Sequence, residues 1–487
     1  MARRKRSQQQ KGQSQGRPHN ARAVKKAKEE KARKERSLRQ QRRAAKAAAQ
    51  SWTVYLSGLV QAITMFFPGR FFSQWAVTKG VMWTPQRVFW LAILMVLSAD
   101  ASLQARFQEA RDVLKSMFPK WSLGKTYEGW FEAQLKWIEP LRPALAKRMR
   151  KTIEAEAMSR PCWLREGWCV FAVDGSRVEC PRTLANEKGL GCAGRDKTCP
   201  QLFLTSLLHV GTGLMWDFRI GPGTASERRH LEEMLEDLPK NALVVADAGF
   251  TGFELLRRLL DAKKNFLIRV GGNVTLLRGL TEAGCEVERR GDVVHLWPQA
   301  NRNELPICLR LIEDRDGEKK RTMVTNVLDH AALSDQSAAT LYEMRWGVEV
   351  YFRSLKQTLG KRTMRSRTPE AAHGELTWAV FGLWLLQAMT IVAKLKAGED
   401  PLRWSAAQAR DRVRTSLRRA LAGKRDDKLL NDLASLKIDD YERSGSKKAR
   451  NWPHKKREKP PAPAKLRLAT DREKETLQRL VTKLGDV

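Results

Sequence analysis

Between Arg165 and Gly271 the apolar residues change rhythm, and this change limits the folds open to the chain. Upstream, over residues 51–160, apolar side chains recur at helical spacing through "VYLSGLVQAITMFF", "RVFWLAILMVLS" and "EGWFEAQLKWIEPLRPALAKRM". From residue 165 they gather instead into short runs bounded by turn residues. "EGWCVFAVDGSRVEC" holds a strand-like run that ends in Asp174. "LFLTSLLHV" and "LMWDFRIG" are strands separated by "GTG", a hairpin signal. "SERRHLEEMLEDL" is an amphipathic helix with Ser226 as N-cap. "ALVVADAGF" is a β-branched strand with Asp247 just past its apolar part. "GFELLRRLLDAKK" is a helix and "NFLIRVG" another strand. The order is β-β-β-α-β-α-β. Strands joined by hairpins run antiparallel and strands reached across a helix run parallel. The expectation is an α/β core built on one mixed sheet.

The regions around that core read differently. Residues 1–50 are rich in Lys, Arg, Gln and Ala and hold too little apolar surface to fold alone, so a disordered basic tail is expected. Residues 51–160 read as an all-helical N-terminal region, a candidate for binding DNA ends. Residues 161–271 form the first part of the core. Residues 272–335 alternate short strands with turns and read as a separate small β region. Residues 336–400 return to helix and form the second part of the core. Residues 401–487 read as a helical, basic C-terminal region with a Pro-rich linker, "KKREKPPAPAK".

Charge narrows the partners. The chain has 90 Lys and Arg against 54 Asp and Glu, a net +36. Residues 1–50 carry 18 basic and 3 acidic side chains, so the rest of the chain is strongly basic as well. Such an excess points to a polyanion, most simply nucleic acid. Five cysteines crowd between Cys162 and Cys199, but no pair has C-x2-C or C-x4-C spacing. They read as thiols in a reducing cytoplasm rather than as a zinc site. "LTWAVFGLWLLQAMTIVA" (Leu376–Ala393) is long enough for a membrane span, yet polar residues interrupt it and Glu375 abuts it. A buried core helix is the better reading, and no membrane partner is expected.

"YEMRWGVEVYFRSLKQ" (Tyr342–Gln357) carries too many charges for an ordinary buried helix. At about 100° per residue, Tyr342, Arg345, Glu349 and Lys356 fall within about 60° of one another on one face. A surface Arg–Glu pair at i, i+4 accounts for two of them and leaves Tyr342 and Lys356 unexplained. Asp174 and Asp247 supply two more acids. The first and fourth strands are expected neighbours, which would bring these carboxylates side by side, where like charge is unfavourable. A divalent cation with oxygen ligands, Mg²⁺ or Mn²⁺, resolves that conflict and suits phosphodiester cleavage.

These residues resemble a family. Y-x2-R-x3-E-x6-K is the YREK signature of the DDE transposases of bacterial insertion sequences, and this chain matches every spacing. "VDGS" around Asp174 and "VVADAGF" around Asp247 resemble the family's two aspartate motifs, and the strand order resembles its ribonuclease H-like core. The 102 residues from Asp247 to Glu349 leave room for the family's β-rich insertion. Ala248 stands where the family often has Arg or Lys, which leaves the local DNA contacts open. The resemblance implies a catalytic, metal-binding triad of Asp174, Asp247 and Glu349. It implies Mg²⁺ as cofactor, with Mn²⁺ as substitute. It implies contacts from Tyr342, Arg345 and Lys356 to double-stranded DNA, at both transposon ends and target. Trp297 is a candidate for stacking on a flipped base, although core packing is the commoner task for a strand Trp. A homodimer or higher multimer on DNA is implied, in the bacterial cytoplasm and associated with the nucleoid. Two other functions share parts of this pattern: a structure-specific nuclease, and an inactive basic DNA-binding regulator.

Overall fold

The computed structural model describes residues 58–99, 102–157, 161–192, 199–280, 291–316, 319–422, 428–438 and 462–485. The basic tail at 1–50 and the Pro-rich stretch up to residue 461 lie outside them. The helical part begins with α1 (Gly58–Phe66), α2 (Pro85–Leu97), α3 (Leu103–Met117) and α4 (Tyr127–Ala157). Local chemistry sets their starts. Thr84 and Ser102 cap α2 and α3 by accepting from the amides of Arg87 and Ala105, and Pro85 opens α2, where its missing N–H costs nothing.

Helices α1, α2 and α4 pack on the long apolar helix found far downstream in the sequence, α10 (Pro369–Ala397), and α3 packs on α2. It starts at a Thr368 cap and stops at Gly398, whose φ of 74° closes the last turn at no steric cost. Its length and composition would let it cross a membrane, but its apolar window is wholly buried inside the fold. The rings of Phe66 and Phe67 pack on Trp384, and the Trp378 indole donates to Gln134 Oε1 at 3.0 Å. A Cβ at Gly382 would stand 2.6 Å from Val96 Cγ1, so glycine there lets α2 and α10 approach closely. The N-terminal helices and the segment after the signature helix therefore share one hydrophobic core.

The strands form a single mixed sheet. In chain order they are β1 (Cys169–Glu179), β2 (Gln201–His209), β3 (Leu214–Pro222), β4 (Ala242–Ala246), β5 (Asn265–Arg269), β6 (Thr275–Arg278), β7 (Val293–Leu296), β8 (Ile307–Asp316), β9 (Lys319–Thr325) and β10 (Lys465–Leu468). Across the sheet they lie β10-β6-β7-β8-β9-β5-β4-β1-β2-β3. β1–β2 and β2–β3 pair antiparallel, while β1–β4 and β4–β5 pair parallel, as the order of runs predicts. Helices α6 (Glu227–Glu232) and α7 (Phe253–Asp261) make the crossovers around β4.

Three expectations need correction. A further short helix, α5 (Leu184–Leu190), lies between β1 and β2, so that connection is no hairpin. The strands in 272–335 do not stand apart, because β9 pairs with β5 and carries the sheet onward. The C-terminal region contributes to the sheet too, as β10 pairs parallel with β6 beyond the Pro-rich stretch. An edge strand otherwise exposes its backbone donors and acceptors, which gives the returning segment a place to pair.

Candidate active site

The parallel pairing of β1 with β4 sets the site. Its register runs from Cys169–Ala242 to Ala172–Val245, and two residues further it brings Asp174 opposite Asp247. The apolar runs on both strands are completely buried, which fixes this register, since a one-residue slip would turn every core side chain outward. Asp174 does not close its strand, as the apolar run had suggested. β1 continues to Glu179 against β2, and Asp174 lies where β4 stops and that edge of β1 opens. Asp247 caps a short 3₁₀ turn, accepting from the Gly249 amide at 2.8 Å, and Asp174 accepts from the Gly175 amide at 2.8 Å.

The third acid comes from a helix that is not regular. The signature stretch is α8 (Asp335–Met344), a junction at Arg345, α9 (Trp346–Arg353) and a π-helical turn over Ser354–Thr358. The π turn adds a residue to the repeat. Projection at 100° per residue therefore holds through Glu349 and fails for Lys356. Arg345 does bring two of the acids together: its guanidinium lies 3.0 Å from Glu349 Oε1 and 3.6 Å from Asp174 Oδ2. Its Cζ stands 5.7 Å from the centroid of the Tyr342 ring.

The four residues of the signature occupy distinct settings. Glu349 is partly open, with a third of its side chain exposed. Tyr342 is only 6% exposed, its ring faced by Arg321 as well as Arg345, and burial raises its phenol above the ordinary value. It acts on Arg345 more than on solvent. Lys356 is half-buried, its ammonium pulled below the usual range by burial and then by Arg362, with Glu179 opposing. Those neighbours put it near the far end of β1. Trp297 is 2% exposed, its indole N–H shared between the carbonyls of Asn301 and Glu304, and Arg302 covers its face at 4.3 Å. This is a satisfied core Trp, and a base could reach it only if Arg302 moved away. The exposed aromatic of this neighbourhood is Trp346, 54% exposed beside Arg345.

Electrostatically the site is an acidic pocket with incomplete compensation. Burial first, then the negative fields of Asp247 and Glu349, push Asp174 up to about 6, against the Gly175 amide and Arg345. A fourth acid, absent from the sequence reading, belongs to the same field. Glu227 opens α6, and its carboxyl is raised by burial, then by Asp247 and Asp174. Nothing in "SERRHLEE" marks it as different from any other acid in a first helical turn. The donors are all carboxylate oxygens, the kind that Mg²⁺ and Mn²⁺ take. Among the described residues no three carboxylates already close around one point. A guanidinium stands between Asp174 and Glu349 instead. Cys169 and Cys180 play no part here, since burial pushes both thiols up to about 12.

Comparison with known proteins matches residues 166–385 to the transposase DDE domain family. The transposase InsG for insertion sequence element IS4 of Escherichia coli is 26% identical over 289 residues, 55% of this chain and 64% of that protein. The probable transposase for insertion sequence element IS5377 of Geobacillus stearothermophilus is 27% identical over 187 residues, 34% of this chain and 48% of that protein. The chain thus spans less than two thirds of the length of either relative. A cryo-EM structure of the piggyBac transposase synaptic complex with hairpin DNA superposes with a TM-score of 0.37 at 12% identity, over 82% of this chain and 89% of that one. That likeness is too loose to bear on the fold. The matched segment, just under half of the chain, holds Asp174, Asp247, Glu349 and the Tyr342–Lys356 signature together, and over it the chain is similar to the transposase DDE domain and to transposases of insertion sequences.

Proposed function

We propose that the chain is a DNA transposase. It cleaves at the ends of an insertion sequence and joins the freed 3′ ends to target DNA, working as a homodimer or higher multimer in the bacterial cytoplasm, associated with the nucleoid. One observation carries this reading. The β1–β4 register, continued two residues past its last pair, brings Asp174 toward Asp247, and Arg345 lies within reach of both Asp174 and Glu349. The strand order β3-β2-β1-β4-β5 supports a ribonuclease H-like core, split by the strands of 272–335.

Asp174, Asp247 and Glu349 would hold the divalent cation, Mg²⁺ with Mn²⁺ as substitute. When bound, such ions activate water and stabilise the leaving oxygen of an in-line phosphoryl displacement. The chain supplies the rest. Arg345 presents a guanidinium beside the carboxylates, where it can pair with a phosphate of the bound strand. Tyr342 supports Arg345 from the core side. Lys356 offers a further cation along β1 for the same strand, and the basic surface supplies phosphate contacts that position DNA without reading its sequence. Cleavage and joining are both in-line transfers, so one site serves both and no covalent enzyme intermediate is needed.

The test uses Asp174→Asn, Asp247→Asn and Glu349→Gln in the full chain. Each is expected to lower Mg²⁺-dependent cleavage of an end-containing duplex by at least about 10³-fold while binding of that duplex persists. Cleavage at near wild-type rate in any of the three overturns the assignment. Cleavage without joining of ends to target DNA would make the protein a nuclease.

A further inference from the structure

Glu227 stands between β1, at the residue after Asp174, and the 3₁₀ turn that Asp247 caps. Ideal Cβ atoms placed on the neighbouring glycines locate it. A Cβ on Gly175 would lie 2.9 Å from Glu227 Oε2, and a Cβ on Gly249 would lie 2.7 Å from Glu227 Oε1 and 3.0 Å from Asp247 Oδ1. One carboxylate oxygen thus faces β1 at the residue after Asp174. The other shares a small space with Asp247. A Cβ at either position would make the carboxylate shift, and at Gly175 it would first meet the Phe203 ring at 2.4 Å.

The surroundings hold Glu227 in place and offset its charge only in part, because burial and the two aspartates outweigh the fields of Arg228 and Arg177. Arg228, the next residue, donates to the Gly249 carbonyl at 2.7 Å and straps α6 to the turn behind Asp247. Arg177 donates to the Gly223 carbonyl at 3.2 Å and lies over the Phe203 ring, and it acts on Glu227 through its field rather than through a hydrogen bond. Among the described residues the Glu227 carboxylate has no hydrogen-bond donor and no ion-pair partner. A partly buried carboxylate without a partner, held against two others, is unfavourable unless a cation joins them.

We propose that Glu227 is a fourth carboxylate of the metal pocket, lining it on the Asp174–Asp247 side while Glu349 closes it from the signature helix. The inference rests on the function proposed above and assigns a residue to the site beyond the triad. Glu227 acts on the cation and on the placement of the two aspartates, so its removal shows in metal affinity before it shows in any reaction.

Mn²⁺ binding to the DNA-free full chain, followed by isothermal titration and by the electron paramagnetic resonance of the ion, tests this. Wild type is compared with Glu227→Gln and with Asp174→Asn as reference. Glu227→Gln is expected to weaken Mn²⁺ at least tenfold, with an unchanged or higher thermal midpoint in EDTA. Wild-type affinity in Glu227→Gln, together with loss in Asp174→Asn, overturns the role of Glu227 and leaves the transposase reading intact. Affinity unaffected by Asp174→Asn sinks both. If Glu227→Gln does not fold, Glu227→Asp takes its place. Retracting the carboxylate by one methylene is then expected to cost at least threefold in affinity, and an unchanged value overturns the proposal.

Discussion

Glu375 and Asp174 are both acids withdrawn from water, and their surroundings drive their protons in opposite directions. Glu375, in the second turn of α10, is 9% exposed at its side chain. It receives Lys361 Nζ at 2.7 Å, the amides of Arg365 and Ser366, and the Ser366 hydroxyl. Burial pushes its pKa up, but Lys361 and these donors outweigh that and hold the carboxyl below its ordinary value. Complete burial pulls Lys361 below the lysine range, yet the short contact and the added donors fix the pair as ionised. Asp174 has one amide and an offset guanidinium, with other acids as neighbours, and its pKa rises. Burial is common to both acids. What separates them is whether the protein itself completes the shell of donors, and the incomplete shell belongs to the acid proposed to wait for a ligand.

Removing Glu375 should have the largest consequence for stability. Glu375→Ala leaves the Lys361 ammonium uncompensated inside the fold, and breaking such a pair costs about 3–5 kcal/mol. Urea unfolding of the full chain is expected to show that loss, and a cost under about 1 kcal/mol would place the pair with ordinary surface salt bridges. Asp174→Asn, the same kind of change at the other acid, should leave stability in EDTA unchanged or improved, because it removes repulsion.

The two acids should also differ in how they respond to pH. The folded pKa of Asp174 is raised, from 3.8 to about 6, so the folded state binds its proton more tightly than the unfolded chain does. Its contribution is therefore favourable at low pH and is lost as pH rises from about 4 to about 6. The loss is on the order of 2–3 kcal/mol. The folded pKa of Glu375 is lowered, so its contribution is present above 4.5 and is lost as pH falls below that value. Thermal midpoints in EDTA across pH 3–8, for wild type and Asp174→Asn, are expected to diverge most above pH 6, with the variant the more stable. Parallel curves would mean that Asp174 is no less compensated than Glu375.

The proximity of the two aspartates was legible because each follows an apolar run that physics enforces. The runs "CVFAV" and "ALVVA" are buried throughout, which marks both as central strands and puts the aspartates that follow them at the same end of the sheet. Glu349 stood out through its common face with Tyr342, Arg345 and Lys356 and through the spacing of the signature, and its contact with Arg345 is the part of that face the structure keeps. Glu227 was not legible, because its role depends on two glycines, 52 residues upstream and 22 downstream, that only the folded sheet brings to it. The extension of β1 past Asp174 was hidden because "GSRVE" has no apolar run. The π turn that displaces Lys356 leaves no mark in composition. The continuity of the sheet was hidden for a related reason: the β5–β9 and β6–β10 pairings are nonlocal, and short strands pair wherever an edge is open.

Arg345 gives the comparison its finest test, because it plays toward Asp174 and Glu349 the part that Lys361 plays toward Glu375, with poorer geometry and more water. At 3.6 Å its contact to Asp174 is a charge interaction rather than a good hydrogen bond, and Glu349 remains a third exposed. Arg345→Met is therefore expected to cost no more than about 1 kcal/mol in unfolding, far less than Glu375→Ala. It should leave the acids more repulsive and the pocket more negative. Divalent cation affinity without DNA should then rise, by about tenfold for each 1.4 kcal/mol of repulsion that the ion relieves. Binding of an end-containing duplex should weaken as a phosphate partner is lost, with a shallower dependence on salt. Mn²⁺ titration of the variant reads the first effect and duplex binding at several salt concentrations reads the second. A fall in Mn²⁺ affinity would show that Arg345 positions the carboxylates for the ion, as Lys361 positions Glu375, rather than standing in for it.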